Sequence, residues 1–147
     1  MTPHGQRRER YREWLASRGL RFGFADELAD RADSRSISAT NDTPPVERWH
    51  AIVPTVRLAE SLREKYGATR VNSAYRSPAY NKSIKGATGS RHVENDALDL
   101  RCATGTPAEW AAFLRGLRAD KVFTGGVGVY ASFIHVDTRG TNADWAG

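Results

Sequence analysis

The stretch that decides the fold and the chemistry of this chain is SRHVENDALD, residues 90–99, together with FIHVD at residues 133–137. His92 and Asp99 are too far apart in sequence to share one helical turn, so we expect a loop carrying His92 and a strand carrying Asp99. His135 would then come from a second strand. Two imidazoles and one carboxylate are ligands that zinc accepts, and three protein ligands leave a fourth position for water. The sequence therefore predicts a hydrolytic zinc site at these three residues.

Three motifs resemble those of the zinc peptidases of the M15 type and follow one another in the same order along the chain. The first is NSAYRSP at residues 72–78, which is similar to the family's Tyr-Arg-Ser segment. The second is Ser90-x-His92 with Ala97-x-Asp99, and the third is the later His135. That group contains D-Ala-D-Ala carboxypeptidases and dipeptidases and related phage endolysins, and it shares its fold with the Hedgehog signalling domain. The resemblance extends over about residues 43–145. Three motifs in the right order are far more specific than any one of them.

The resemblance implies an α+β fold of the Hedgehog/DD-peptidase type, with an antiparallel sheet and flanking helices. We expect a single domain over residues 1–147, with an N-terminal helical extension at residues 1–42 and a peptidase core at residues 43–147. The order of the predicted elements, helices first and then strands interrupted by one helix, also favours α+β. A chain of this length can bury a sizeable core.

Apolar spacing and capping residues predict the individual elements. Helices are expected at residues 6–17, 27–33, 46–66, 78–84 and 107–118, and strands at residues 69–75, 97–102, 127–130 and 133–138. Asp26 is the predicted N-cap of the second helix, and Pro54 predicts a kink or two abutting helices. Thr106 and Glu109 predict a capping box. His4 falls in a terminus that we expect to be disordered.

Composition and charge limit the classes of protein to which this chain can belong. Hydrophobic residues make up 39% of the chain, and no apolar run reaches the roughly 18 residues that a membrane helix needs. The lone Cys102 rules out an internal disulfide framework and a tetrathiolate zinc site. A net charge of +5 favours anionic partners, but no aromatic-basic motif of a known nucleic-acid module is present. We therefore expect no nucleic-acid partner.

Asp137 follows His135 by two positions, so both side chains project from the same face of a strand. Asp137 is therefore expected close to the metal, where it can accept a proton from the attacking water or hydrogen-bond a ligand imidazole and orient it. We assign it the first role. The better-known M15 peptidases place an acid three residues before the last histidine, and this chain has Ser132 there. Glu94 and Asp96 are the reserve candidates for the base.

Arg76 follows a predicted strand and precedes Ser-Pro. The M15 resemblance implies that its guanidinium binds the substrate carboxylate or polarises the scissile carbonyl, with a surface ion pair as the alternative. Ser90 either binds substrate as well or caps the loop that carries His92. Lys82, Lys85 and Arg91 could line an anionic groove, but we interpret them as solvated loop charges.

Together these features predict a zinc-dependent peptidase that hydrolyses amide bonds in peptidoglycan stem peptides or cross-links, as a D,D-carboxypeptidase or an endolysin-type endopeptidase. The alternative is a non-catalytic zinc-containing module of the same fold that binds cell wall or a protein, which Ser132 keeps open. We expect a monomer with peptidoglycan peptide as its partner. The N-terminus lacks the apolar stretch of a signal peptide. Access to the wall is therefore expected by another route, such as phage lysis or carriage on a virion.

Overall fold

The computed structural model describes all 147 residues. Its α-helices are α1 (Pro3–Ser17), α2 (Phe24–Asp30), α3 (Val53–Tyr66), α4 (Pro78–Ser83) and α5 (Pro107–Ala119), with 3₁₀ helices at Arg31–Asp33 and Val46–Ile52. Its strands are β1 (Thr69–Ser73), β2 (Ala97–Cys102), β3 (Gly126–Val129), β4 (Ile134–Asp137) and β5 (Ala143–Ala146). None of the helices has the length and apolarity needed to cross a bilayer.

The five strands form one sheet in the order β1-β2-β4-β3-β5. Neighbouring strands are antiparallel except for β3 and β5, which pair in parallel. The predicted α+β class is confirmed, and the sheet is mostly rather than wholly antiparallel. The sequence does not predict β5, because ADWA at residues 143–146 has one large apolar side chain and no alternation of its own. It becomes a strand by pairing with the free edge of β3.

Alternation along the central strands separates the apolar core from the polar site. Five fully buried apolar side chains belong to the same cluster as residues of α3 and α5: Leu98, Leu100, Val127, Ile134 and Val136. Asp99, His135 and Asp137 occupy the intervening positions, so their side chains emerge from the opposite face of the sheet. The period of two that buries the core thus also collects the polar groups on one surface.

Proline and threonine set the starts of the two helices that cover the sheet. Pro54 lies in the first turn of α3, directly after the 3₁₀ helix Val46–Ile52, so the predicted break is confirmed. Thr106 caps α5 by accepting a hydrogen bond from the amide of Glu109 at 3.2 Å. The carboxylate of Glu109 bonds the Thr106 hydroxyl at 3.2 Å rather than the Thr106 amide, so the capping box is only half formed.

Two predictions in the N-terminal region are wrong. The N-cap of α2 is Gly23, at φ 74°, and not Asp26. Asp26 lies in the first turn, where its negative charge interacts favourably with the positive end of the helix dipole. His4 lies in α1 rather than in a disordered terminus, and its Nε2 is 2.9 Å from Oδ1 of Asp33. This contact ties the first turn of α1 to the 3₁₀ helix Arg31–Asp33.

The two N-terminal helices share the core of the remaining chain. Tyr11 and Leu15 of α1 and Phe24 and Leu28 of α2 are buried in the main apolar cluster. Burial of large side chains on both sides of residue 42 couples the two regions energetically. The division into an extension and a core at that residue stays a prediction.

Candidate metal centre

Strands β2 and β4 place two of the candidate ligands side by side. Asp99 and His135 are direct partners in the antiparallel register, so their side chains emerge from the same face at close range. Oδ1 of Asp99 lies 3.1 Å from Nδ1 of His135 and 3.2 Å from Nε2 of His92. The three ligand atoms all lie within 4.8 Å of one another, and the three residues are buried. The structure therefore brings together the three residues of the predicted zinc site.

His92 is positioned by the loop that precedes β2. Its carbonyl oxygen accepts a hydrogen bond from the Arg76 amide at 3.1 Å, and its own amide donates to the Ser90 hydroxyl at 3.2 Å. Asn95 then turns the chain toward β2 at φ 57°, in the left-handed region that asparagine tolerates better than most residues. The loop is thus held at both ends, which fixes the place of the imidazole.

Hydrogen bonds on the outer side of each imidazole decide which nitrogen faces the centre. Nδ1 of His92 lies 2.7 Å from the carbonyl oxygen of Ala74, which can only accept, so in neutral His92 the proton is on Nδ1 and the lone pair is on Nε2. Nε2 of His135 lies 2.7 Å from Oδ2 of Asp137, so neutral His135 has its lone pair on Nδ1. When both imidazoles are neutral, two nitrogen lone pairs therefore face the Asp99 carboxylate with no proton between them.

A divalent cation fits this donor set. Tetrahedral zinc, with bonds of about 2.0–2.1 Å, requires ligand atoms about 3.3 Å apart. The observed separations of 3.1 and 3.2 Å between Oδ1 of Asp99 and the two imidazole nitrogens are close to that value. Each imidazole is also anchored on its other nitrogen by an acceptor, as is usual for histidine ligands of metals. His92, Asp99 and His135 are thus suited to hold zinc.

The charges of the centre depend strongly on one another. Burial disfavours ionisation of Asp99, but hydrogen bonds from His135 and His92 hold the pKa of its carboxyl well below the usual range. Burial also disfavours the imidazolium of His135, yet its contacts with Asp137 and Asp99 raise its pKa. A second proton, on Nδ1 of His135, relieves the same repulsion between the nitrogen lone pairs and the Asp99 carboxylate that a metal cation would relieve. Metal and proton therefore compete for one place.

Asp137 lies behind the His135 ring, not beside its inward-facing nitrogen. Its fully buried carboxylate accepts hydrogen bonds from the Gly126 amide at 2.9 Å and from Arg139 at 2.8 and 2.7 Å. Burial alone would raise the pKa of Asp137, but Arg139, His135 and the Gly126 amide hold it well below its usual range. A Cβ at position 126 would lie only 2.6 Å from Oδ2, so glycine is required there. This placement favours the orienting role, and the assignment of proton transfer to Asp137 stays a prediction.

The ligand atoms border a cavity of about 430 Å³. Three arginines and three aromatic residues form much of its wall: Arg76, Arg91, Arg139, Tyr130, Phe133 and Trp145. Asp99 is the only carboxylate among the lining residues. A larger groove of about 1050 Å³ lies between α2 and β1, away from the three ligands. The smaller cavity is therefore the one placed to receive a substrate of the metal centre.

Arg76 and Ser90 both line this cavity. Nε of Arg76 donates to the Ser73 hydroxyl at 3.1 Å and Nη1 donates to Oδ1 of Asn81 at 3.2 Å, while Nη2 lies 3.6 Å from Oδ2 of Asp99. These contacts hold the guanidinium beside the metal centre and not in a surface ion pair. Ser90 caps the loop that carries His92 through the His92 amide and also lines the cavity.

The reserve candidates for a general base lie elsewhere. Glu94 is exposed and does not line the cavity. The same holds for Ser132, which occupies the position of the acid in the better-known M15 peptidases. Asp96 is buried and accepts a hydrogen bond from Nε of Arg91 at 3.2 Å. Interpreting Arg91 as a solvated loop charge is wrong, because this residue pairs with a buried carboxylate and forms part of the cavity wall.

Three residues at the site were missed by reasoning from the sequence. Arg139 lies two positions beyond Asp137, and the same strand alternation that selected Asp137 could have found it. Tyr130 falls in a predicted strand but has no motif around it. Trp145 comes from β5, which has no strand signal of its own, so only the parallel pairing with β3 reveals it.

Comparison with known proteins identifies the family of this chain. A family model described as Peptidase M15 matches residues 25–137, which is more than half of the chain. The matched region contains the three candidate ligands and also Arg76 and Asp137. Searches of curated proteins and of solved structures each found no match. The resemblance stated from the sequence motifs is confirmed by the family model.

Proposed function

This chain belongs to the peptidase M15 family, a family of metallopeptidases, and from this premise we propose that it is a zinc-dependent peptidase acting on peptidoglycan. The proposed reaction is hydrolysis of an amide bond in a stem peptide or cross-link, by a D,D-carboxypeptidase or an endolysin-type endopeptidase. The observation that carries the proposal is the convergence of His92, Asp99 and His135 on one point at the wall of an open cavity.

His92, Asp99 and His135 would hold the metal. Zinc bound there supplies a Lewis acid that polarises a carbonyl group and lowers the pKa of water. The protein keeps the ligands ready for it, because the Ala74 carbonyl oxygen and the Asp137 carboxylate orient the two imidazoles. The two imidazoles are thus oriented before a metal binds.

The arginines of the cavity suit a peptide that carries free carboxylates, as stem peptides do. Arg91 and Arg139 are each engaged with a buried acid, Asp96 and Asp137. Arg76 has the most distant ion pair of the three, at 3.6 Å from Asp99, and is therefore the most able to bind substrate. We assign it the substrate carboxylate or the scissile carbonyl oxygen, both of which match a planar fork of donors. Ser90 lines the same cavity and is assigned to substrate binding.

The experiment uses purified protein loaded with zinc and purified peptidoglycan, followed by defined stem peptides. New primary amines and the masses of the released products are measured, with His135→Ala as the matched control. Release of a single C-terminal D-alanine indicates a carboxypeptidase, while release of cross-linked or internal fragments indicates an endopeptidase. Absence of products from zinc-loaded protein on every substrate would contradict the proposal. We further propose action at the cell wall by a monomer, which light scattering of the same samples tests.

A non-catalytic binding module of the same fold is the second candidate. One observation favours it: among the residues lining the cavity the only carboxylate is Asp99, which contacts both histidines. Such a module would sediment with peptidoglycan without releasing amines. Sedimentation and amine release measured on one sample therefore separate the two functions.

A further inference from the structure

Tyr130 lines the cavity beside His92, Asp99 and His135. It follows the last residue of β3, and its amide donates to the Phe133 carbonyl oxygen at 3.0 Å. Its ring stacks on that of Phe133, with centroids 4.5 Å apart and planes 5° from parallel. The backbone of Gly147 confines it further, since a Cβ there would lie 2.1 Å from Cε1 of Tyr130. The position of the phenol is thus set before any substrate arrives.

The direction of its hydrogen bond leaves the Tyr130 proton free. Nε1 of Trp145 lies 2.8 Å from the Tyr130 hydroxyl oxygen. An indole N–H can only donate, so the phenol oxygen is the acceptor and its own O–H remains to donate. Trp145 is the only protein partner of this hydroxyl, and Tyr130 is one of the residues that line the cavity.

Trp145 also connects Tyr130 to the metal centre. Its ring centroid lies 4.9 Å from that of His135. In the sheet register, Gly128 of β3 is opposite His135 on one side and Trp145 on the other. A Cβ at position 128 would lie 2.5 Å from Nε1 of Trp145, so the indole reaches the histidine only because glycine leaves the space. The Tyr130 hydroxyl and the His135 ring therefore contact the same indole.

We propose that Tyr130 is a catalytic residue whose hydroxyl donates a hydrogen bond to the carbonyl oxygen as it becomes negatively charged, and that Trp145 is the residue that positions it. The proposal rests on the proposed peptidase function. When water attacks, its oxygen bonds the carbonyl carbon and the π electrons move to the carbonyl oxygen. The C–N bond then breaks, the carbonyl re-forms, and the nitrogen leaves as an amine with a proton from the water. Tyr130 neither gains nor loses a proton.

Preorganised donors aimed at a developing charge contribute more to catalysis than to substrate binding. The phenol is preorganised in this sense, because its orientation is fixed by Phe133, Trp145 and Gly147 and its proton has no protein acceptor. Arg91 and Arg139 also line the cavity, but they form ion pairs with Asp96 and Asp137.

The test compares Tyr130→Phe and Trp145→Phe with Tyr66→Phe, a matched control on the far end of α3. Zinc content and melting temperature are measured first, then kcat and KM on a stem peptide. Binding of a phosphinate dipeptide, whose tetrahedral P–O⁻ group imitates the attacked carbonyl, is measured by calorimetry. We expect Tyr130→Phe to lower kcat about 10²- to 10³-fold and to weaken phosphinate binding, with KM, zinc content and melting temperature nearly unchanged. Trp145→Phe, which removes only the indole N–H and part of the ring, should show a smaller loss of the same kind.

Unchanged kcat and unchanged phosphinate affinity in Tyr130→Phe would overturn the proposal, as would an effect on KM alone. If the parent protein cleaves no peptide but binds the phosphinate in a Tyr130-dependent way, the role of Tyr130 stands and the proposed substrate is wrong. If the parent neither cleaves peptide nor binds the phosphinate, both the proposed function and the role of Tyr130 are wrong.

Discussion

Nε2 of His135 lies 2.7 Å from Oδ2 of Asp137, on the side of the imidazole opposite to the nitrogen that faces Asp99. The ring therefore separates the Asp137 carboxylate from the point where the three ligands converge. Arg139 binds both oxygens of that carboxylate, which balances its charge in a fully buried position. One carboxylate thus sets the tautomer and the direction of the imidazole of a candidate metal ligand.

For Asp137→Asn, we expect zinc affinity to fall about 10- to 100-fold. The reason is that the acceptor on the outer nitrogen of a histidine ligand orients the ring and raises its basicity. Turnover should largely return at saturating zinc. Titration of zinc against a chelator, with kcat measured along the same titration, checks this. A loss of about 10²- to 10⁴-fold in kcat at full zinc occupancy would instead assign proton transfer to Asp137.

Replacing any one of His92, Asp99 and His135 by alanine should abolish stoichiometric zinc binding, because two ligands hold the metal far less tightly than three. Elemental analysis after gel filtration measures the content. His50→Ala is the control, since His50 is exposed and this variant should retain zinc. Full zinc occupancy in all three ligand variants would refute the assigned site.

Zinc affinity should decrease as pH falls, beginning above the ordinary histidine pKa of about 6.5. The pKa of His135 is raised by Asp137 and Asp99, so the metal-free protein keeps a proton to higher pH than a free imidazole does. Zinc must displace that proton below the raised pKa, and above it no proton has to leave. Calorimetry in two buffers of different ionisation enthalpy should detect about one proton released per zinc at low pH. An affinity that is constant between about pH 6 and 8 would contradict this linkage.

Arg76→Lys should lower activity strongly while the melting temperature changes little. Lysine keeps the positive charge but loses the planar fork that can bind two oxygens at once. Thermal unfolding and kcat/KM are measured on the same preparation. A parallel loss of stability and activity would mean that the bonds from Arg76 to Ser73 and Asn81 are the main role of the residue.

Replacement by alanine should change the stability of the fold in opposite directions at two glycines. Gly116 lies on the exposed side of α5, where an added methyl group would meet only open space, so Gly116→Ala should stabilise the fold by about 0.5–1 kcal/mol. Gly128→Ala places a carbon 2.5 Å from Trp145 and should destabilise the fold by about 1–3 kcal/mol. Urea unfolding measures both. Equal stability changes would mean that Trp145 moves away from Gly128 at no cost.

Much of the fold follows from local patterns in the sequence. The period of two in residues 133–138 correctly predicted β4 and the shared face of His135 and Asp137. Pro54 correctly marked the start of α3. The start of α2 could not be predicted from its residues, because Gly23 caps it through a left-handed backbone and not through a side-chain acceptor such as Asp26.

The sequence by itself determined the kinds of ligand at the site, the alternation that separates them from the core, and the family, because these depend on residue type and spacing along the chain. Only the tertiary structure decided that Asp99 pairs with His135 across β2 and β4, and that each imidazole turns a lone pair inward. It also decided that Trp145 reaches the site. Strand register and hydrogen-bond partners join residues distant in sequence, and β5 exists only because the edge of β3 offers unpaired backbone groups. Nothing in the four residues of β5 encodes that edge.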